Sequence, residues 1–240
     1  MSLKQDIRSL LNFLHLDLTK NLTYDRLTKS IMKKVVKSDS NCIDIGCHKG
    51  DVLELILSFA PKGSHYAFEP IPDFYYNLKK QFPTVEILPY ALSNKNGKTK
   101  FKFVKNAPAY SGIKERKYDI ETPEIEEIKV QLKKLDDVIP VEHVIDFIKI
   151  DVEGGEFDVL KGSERILRTN KPIVVFESGL GASEYYGTIP EELFQFFENI
   201  DYELYLLKSF VKTQEPLSEI DFNHIYLTNK EYYFVAKPKS

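Results

Sequence analysis

The sequence predicts an α/β fold: a mostly parallel sheet with helices on both faces and a helical N-terminal extension. Three observations predict it. From residue 41 onward, short apolar runs alternate with amphipathic ones. Two of the runs, "VIDFIKIDV" (144–152) and "PIVVFES" (172–178), are apolar at most positions, the pattern of strands covered on both faces. The stretch "NCIDIGCHKGDV" (41–52) passes from a strand through two glycines into a helix, which lets backbone approach a ligand closely.

Residues 3–16 and 22–37 read as helices. In the second, Tyr24, Leu27, Ile31 and Val35 recur at three- or four-residue spacing and form one apolar face. Residues 1–40 are therefore the extension and 41–240 the main domain. That domain starts with strand 41–45, helix 51–59, strand 64–68, helix 72–81 and strand 85–88, punctuated by Pro61-Lys62-Gly63 and Pro83. Asn96-Gly97 precedes an alternating run, so 94–104 should be a turn and a strand. Residues 105–128 are charged, contain Pro108 and Pro123 and show no clear period. They read as an insertion or a mobile lid over the cofactor pocket. Next come strand 144–152, a helix from Glu156 to Leu167 and strand 172–178. Helix 190–198, with Pro190 suited to its first turn, and strands 202–208 and 231–237 complete the set. No internal repeat or low-complexity tract is present.

The 240 residues suffice for one such domain. A hydrophobic content of 42% and a charged content of 29% are those of an ordinary globular chain. A net charge of −3 argues against nucleic acid as partner, because that binding face is usually basic. No run is long and apolar enough for a membrane span, and residues 1–18 lack the layout of a secretory leader. Cys42 and Cys47 fit neither a zinc pattern nor a disulfide framework. The expectation is a reducing, cytoplasmic setting, with the chain a monomer or a homodimer.

What the glycine turn binds follows from what it lacks. A dinucleotide turn needs G-x-G-x-x-G to seat a pyrophosphate. Here only Gly46 and Gly50 stand four apart, with Asp44 before them. That suits a ligand without a pyrophosphate, such as S-adenosyl-L-methionine (SAM). Asp44 is expected near its ammonium group. Gly46 would admit the backbone, Gly50 would start the helix close to the strand, and Cys47 and His48 would fill the turn. Glu69, in "HYAFEP", is placed to accept hydrogen bonds from the ribose hydroxyls, with Pro70 beside it. That feature alone serves NAD equally well. Ala91, Leu92 and Ser93, in "LPYALSNKNG", are candidates to lie against the adenine.

Asp151 and Glu153 stand where the fourth buried strand runs out, the end at which open α/β sheets bind ligands. Alternation puts them on one side if the strand persists that far. Asp151 is expected nearer the sulfonium, as a cofactor contact and a catalytic group. Glu153 is expected at the acceptor hydroxyl. The competing readings are that Glu153 caps the next helix or pairs with Lys149 or Lys161, or that the two carboxylates hold a metal ion; the reading taken assigns no metal. Glu177 ends the next strand and is a candidate acceptor contact. So are Tyr110, Ser111 and Arg116 of the insertion, which suit a sugar or an acidic group. His224 is a remoter candidate base, and Tyr185-Tyr186 a candidate sugar face; structural roles compete for each.

At this point the residues carry a family likeness. "FIKIDVEGGEFDVLKG" (147–162) resembles the signature of the FkbM-type SAM-dependent methyltransferases, and "DIGCHKG", "FEP", "ALSNKNG", "KLDDV" and "VVFE" fall in that family's order. The resemblance runs from about residue 41 to 180. It implies the Rossmann-like seven-stranded SAM methyltransferase sheet, S-adenosyl-L-homocysteine as the product, and transfer to hydroxyl oxygens of sugars or natural products. One departure stands in the first motif, where Cys47-His48 replaces the family's frequent Ala-Asn; a His48 ring nitrogen can still donate. Two other readings remain open: an NAD(P) oxidoreductase, disfavoured by the missing glycine, and a catalytically silent SAM-binding regulatory or scaffold protein.

Overall fold

The computed structural model describes residues 20–118 and 120–239. The expected helix at 3–16 lies outside the described residues. Helix α1 (Lys20–Val35) buries Tyr24, Leu27 and Ile31 of the expected face together with Met32, while Val35 is half-buried. The alternation then forms as β1 (Cys42–Ile45), α2 (Asp51–Phe59), β2 (Tyr66–Phe68), α3 (Pro72–Gln81) and β3 (Glu86–Leu88). After it come β4 (Tyr90–Leu92), β5 (Gly97–Val104), β6 (Ile125–Lys133), α4 (Leu135–Val138) and β7 (Phe147–Ile150). The remainder is α5 (Glu156–Lys161), α6 (Glu164–Asn170), β8 (Ile173–Glu177), α7 (Pro190–Glu198), β9 (Tyr202–Leu206), α8 (Leu207–Val211), α9 (Glu219–Leu227) and β10 (Tyr233–Pro238).

Seven strands form one sheet in the order β3-β2-β1-β7-β8-β10-β9. All pair in parallel except β10, which runs antiparallel to β8 and β9. The chain winds outward from β1 to β3 and returns to place β7 beside β1. The strand order therefore switches at β1/β7, and a crevice opens at their carboxyl ends.

Side chains alternate across this sheet. Ile43, Ile45, Ile148, Ile150, Val174 and Phe176 face one core layer, with Phe157, Leu160, Leu193, Phe197 and Phe222 of the helices. Cys42, Ala67, Phe147, Val175 and Val235 face the other, with Ile31 and Met32 of α1, Ile56 of α2, Leu78 of α3 and Phe210 of α8. Helix α1 is thus part of a core layer. Burying a side chain such as Ile31 contributes about 1.5–3 kcal/mol. Alternation also assigns Asp44 and Lys149, which are paired in register, to this second face.

The structure departs from the sequence reading in several places, among them the strand expected over 202–208, which ends at Leu206 and gives way to α8. The strand expected over 144–152 is only Phe147–Ile150, because the chain turns sharply after Asp151. The helix expected from Glu156 to Leu167 is two helices, parted where Gly162 lies against the backbone of Ser93. Residues 125–128, read as insertion, belong to β6 in a three-stranded sheet of order β4-β6-β5. Its hairpin is tied by charge: Lys100 and Lys102 pair with Glu127 at 2.7 and 3.1 Å, and Lys105 with Glu126 at 2.6 Å. Its small core holds Ile71, Ala91, Phe101, Val130 and Leu132. No helix of the described residues is long and apolar enough to cross a membrane.

Candidate functional site

A cleft lies at the carboxyl ends of β1, β2 and β7 and is roofed by the hairpin sheet. One wall carries Gly46, His48, Glu69, Pro70 and Ile71, the floor Ala91, Leu92 and Ser93, and the far wall Asp151, Val152, Glu153, Gly155 and Asp158. Phe101, Pro108, Ala109, Ser111 and Ile113 come over from the hairpin and its loop, and Tyr186 closes one end.

The first turn is shaped by Gly46. It has a left-handed φ of 79°, and a Cβ there would lie 1.8 Å from the carbonyl oxygen of Asp151. The β1 turn and the β7 exit can therefore touch only through a glycine. The amides of Gly46 and Cys47 donate to the Phe68 carbonyl at 3.0 and 3.3 Å. His48 is also left-handed, at φ 47°. Its amide donates to Glu69 Oε2 at 2.9 Å, and the Ile71 amide donates to Oε1 at 2.9 Å. Glu69 thus locks the turn to the end of β2. A carboxylate has about four acceptor sites, so two amides leave capacity for a ligand. Burial pushes Glu69 up to about 7, against the pull of the two amides.

Asp44 is buried behind this turn and does not line the cleft. Burial, partly offset by the charge of Lys149, pushes it up to about 7. Its Oδ2 and the Nε2 of His48 have no hydrogen-bond partner among the described residues. The His48 ring packs edge-on against Phe74, and burial lowers its pKa, so the imidazole is neutral at pH 7. Cys47 is turned inward, its Sγ 3.6 Å from the Phe68 carbonyl oxygen. Gly50 backs onto Leu78 and Phe82. Asp44, Cys47 and Gly50 therefore shape the turn from behind, whereas Gly46, His48, Glu69, Pro70, Ala91, Leu92 and Ser93 face the cleft.

Asp151 and Glu153 both reach the cleft, but by a turn and not along a strand. Glu153 sits at φ 60°. A non-glycine residue held there costs on the order of 1–3 kcal/mol, and such residues gather at functional sites. Glu153 does not cap α5, whose N-cap is Gly155 with no side-chain cap; the carboxylate of Glu156 braces the preceding turn instead, accepting from the amides of Val152 and Gly154 at 2.9 and 3.1 Å. Nor does Glu153 pair with Lys149 or Lys161. Its partner is Arg116, whose Nη2 donates to Oε2. Burial and the neighbouring Asp151 push Glu153 up to about 8, against the charge of Arg116. Burial acts on Asp151 in the same sense, but the charge of Lys149 and hydrogen bonds from Tyr233 and Glu177 outweigh it and hold Asp151 below its ordinary value. Glu177 is pushed well above its ordinary range by burial and by Asp151, so the proton of this pair sits on Glu177.

Of the expected acceptor contacts, Ser111 lines the cleft, although its Oγ already accepts from the Val104 amide at 3.0 Å. Tyr110 and Arg116 stand behind the lining, the guanidinium 5.0 Å from the Tyr110 ring centroid. Glu177 lies behind Asp151. His224 is exposed on α9, outside the cleft lining. Tyr186 lines the cleft, and its hydroxyl accepts from the amides of Ile113 and Lys114 at 3.0 and 3.2 Å. The sequence reading passed over Phe101, Ile113 and Asp158 of the lining, and Tyr233 behind it. A lysine inside the buried run "FIKID" was a usable signal, because a charge in such a strand needs a partner.

The sequence profile of the family described as Methyltransferase FkbM domain matches residues 44–204. No curated protein matches the chain. Among solved structures, the fold is similar to that of Methyltransferase FkbM from Methylobacillus flagellatus KT, with 14% identity and a TM-score of 0.52, over 83% of this chain and 44% of that one. This chain thus spans less than half the length of that protein. It is also similar to a TehB-like SAM-dependent methyltransferase from Corynebacterium glutamicum ATCC 13032 Kitasato (12% identity, TM-score 0.46, 97% of this chain and 100% of that one). An rRNA methylase from Streptococcus thermophilus is similar over 90% of this chain and 96% of that one (10% identity, TM-score 0.48). At 14% identity the first likeness is one of fold, a Rossmann-like methyltransferase sheet.

Proposed function

This chain belongs to the FkbM methyltransferase family, and from that premise we propose that it moves a methyl group from SAM to a hydroxyl oxygen of a glycan or small natural product. The observation that carries this reading is the opposite tuning of two carboxyls on one wall of the cleft. Asp151 is held ionised, while Glu153 is raised to about 8. Environments that push two titratable groups apart assign them different roles.

The residues fit the cofactor on structural grounds. Glu69 keeps acceptor capacity at the end of β2, and Ala91, Leu92 and Phe101 offer an apolar bed beside it. The unpartnered Asp44 Oδ2 and His48 Nε2 mark unfilled polar capacity at the first turn. SAM, when bound, supplies a methyl group on a sulfonium, already a good leaving group. What remains for the chain is to position the acceptor and take its proton. Asp151 offers a negative charge to the cationic side. Glu153, once ionised, would take the proton of an acceptor hydroxyl placed beside it, leaving that oxygen free to receive the methyl group SAM would supply. Base assistance of this kind is worth about 10²–10⁴-fold.

Calorimetry with SAM, S-adenosyl-L-homocysteine and NAD tests the cofactor reading. Heat with the first two and none with NAD is expected. NAD binding without SAM binding would end it. SAM binding with no methyl transferred to any fraction of a source-cell extract would favour the silent scaffold.

A further inference from the structure

Lys149 is 4% exposed and lies in the middle strand of the sheet. A buried ammonium is expensive unless it is paired. Its Nζ donates to Asp151 Oδ2 and to the Ile150 carbonyl, both at 3.2 Å, and stands 4.7 Å from the centroid of the Tyr233 ring. The Tyr233 hydroxyl donates to the same Oδ2. Tyr233 and Glu177 lie opposite each other where β10 meets β8. The period of two puts Asp44, Lys149, Glu177 and Tyr233 on one face of the sheet. All donors seen at Asp151 arrive from that face, whereas its other side meets the cleft.

We propose that Lys149 and Tyr233 are positioning residues that hold Asp151 ionised and aimed into the cleft, where it meets the cationic part of the methyl donor. This rests on the SAM reading above. The charge balance around Asp151 explains why both are needed. Asp44 from β1, Glu177 from β8, Glu153 from the following turn and Glu156 from α5 all face it with carboxyls, and neutral His48 faces it from the first turn. Against these carboxyls stand Lys149 directly and Arg116 through Glu153. Without Lys149 or the Tyr233 hydroxyl, Asp151 would keep its proton to higher pH. Its attraction for a cation would then fade first on the acid side.

The test uses the full chain with aspartate carboxyl carbons labelled with ¹³C, the Asp151 signal being the one lost in Asp151→Asn. Titration by NMR should show the Asp151 midpoint rising in Tyr233→Phe and rising further in Lys149→Met, the latter by about tenfold in proton affinity, one pKa unit. An unchanged midpoint in Tyr233→Phe, which keeps the ring and its packing, overturns the proposal even if Lys149→Met does not fold. SAM calorimetry between about pH 4 and 7, the range that reaches the Asp151 midpoint, is the second readout. Affinity in Tyr233→Phe should fall more steeply toward acid than in the unaltered chain. An equal loss at every pH would mean a merely structural role and would also overturn it. If the unaltered chain takes up no SAM, the proposed function fails, and the carbon titration still decides this inference.

Discussion

Arg116, on the loop that follows β5, holds the carboxylate of Glu153, on the turn that follows β7. Arg116 stands behind the cleft lining, and the pair ties the loop of the hairpin sheet to the main sheet. Only 10% of the Arg116 side chain is exposed, so the pair is not one of the solvated surface bridges that contribute little. It sets the basicity of Glu153, which leads to the first prediction.

Glu153 is protonated below about 8 and ionised above it, because burial and Asp151 raise it more than Arg116 lowers it. A base must be ionised to take a proton. With an acceptor in hand, kcat/KM should therefore rise with pH through a limb near 8. Arg116→Met removes the opposing charge and should move that limb to higher pH. A limb in the same place in both proteins would assign it to another group.

Glu69→Ala should weaken SAM binding by about 1.5–3 kcal/mol, the range for hydrogen bonds to a charged group. Calorimetry measures this directly. The same change strips the amides of His48 and Ile71 of their acceptor, so the melting temperature of the free protein should fall as well. Full SAM affinity in a variant that still folds would remove Glu69 from the cofactor site.

Tyr186→Phe takes one hydroxyl from two amides, those of Ile113 and Lys114. The cost should be about 1 kcal/mol in denaturant unfolding, since water can reach Lys114. Hydrogen exchange should accelerate at 113 and 114 before it changes in the sheet. Unaltered exchange there would mean that Tyr186 does not tether the loop.

Asp44 has a folded-state pKa of about 7, raised above its ordinary value of 3.8 chiefly by burial. Its contribution to stability is therefore fully present below the unfolded value and is lost as pH rises through about 7. Asp44→Asn removes the charge without much change in volume. It should stabilise the ligand-free protein more near about pH 8 than near about pH 5, read from denaturant midpoints at both. Equal midpoint shifts at both pH values would contradict the burial of an ionised Asp44.

Much of this was legible in the sequence where one physical rule dominated. The period of 3.6 fixed α2 and α3, and unbroken apolar runs marked β7 and β8. The start of β6 was not legible, because Glu126 and Glu127 pair across to lysines and interrupt the apolar alternation that Ile128, Val130 and Leu132 carry on. Strand β7 read too long because Val152 continues the apolar run, while the left-handed Glu153 that ends it carries no such signal. In the cleft, Gly46 and Glu69 could be inferred from the turn they make. The distant partners of Glu153 and Asp151 could not. Arg116 and Tyr233 lie 37 and 82 residues away in the chain, and only the folded sheet brings them together.

The most direct test of the account supplies methyl-labelled SAM and a fractionated extract of the source cells to the unaltered chain and to Glu153→Gln. The unaltered chain should place the label on an oxygen of a sugar or small natural product, identified by mass spectrometry. Glu153→Gln should fold, bind SAM as before and turn over about 10²-fold more slowly or worse. Label on nitrogen or carbon, or undiminished turnover in Glu153→Gln, would contradict it.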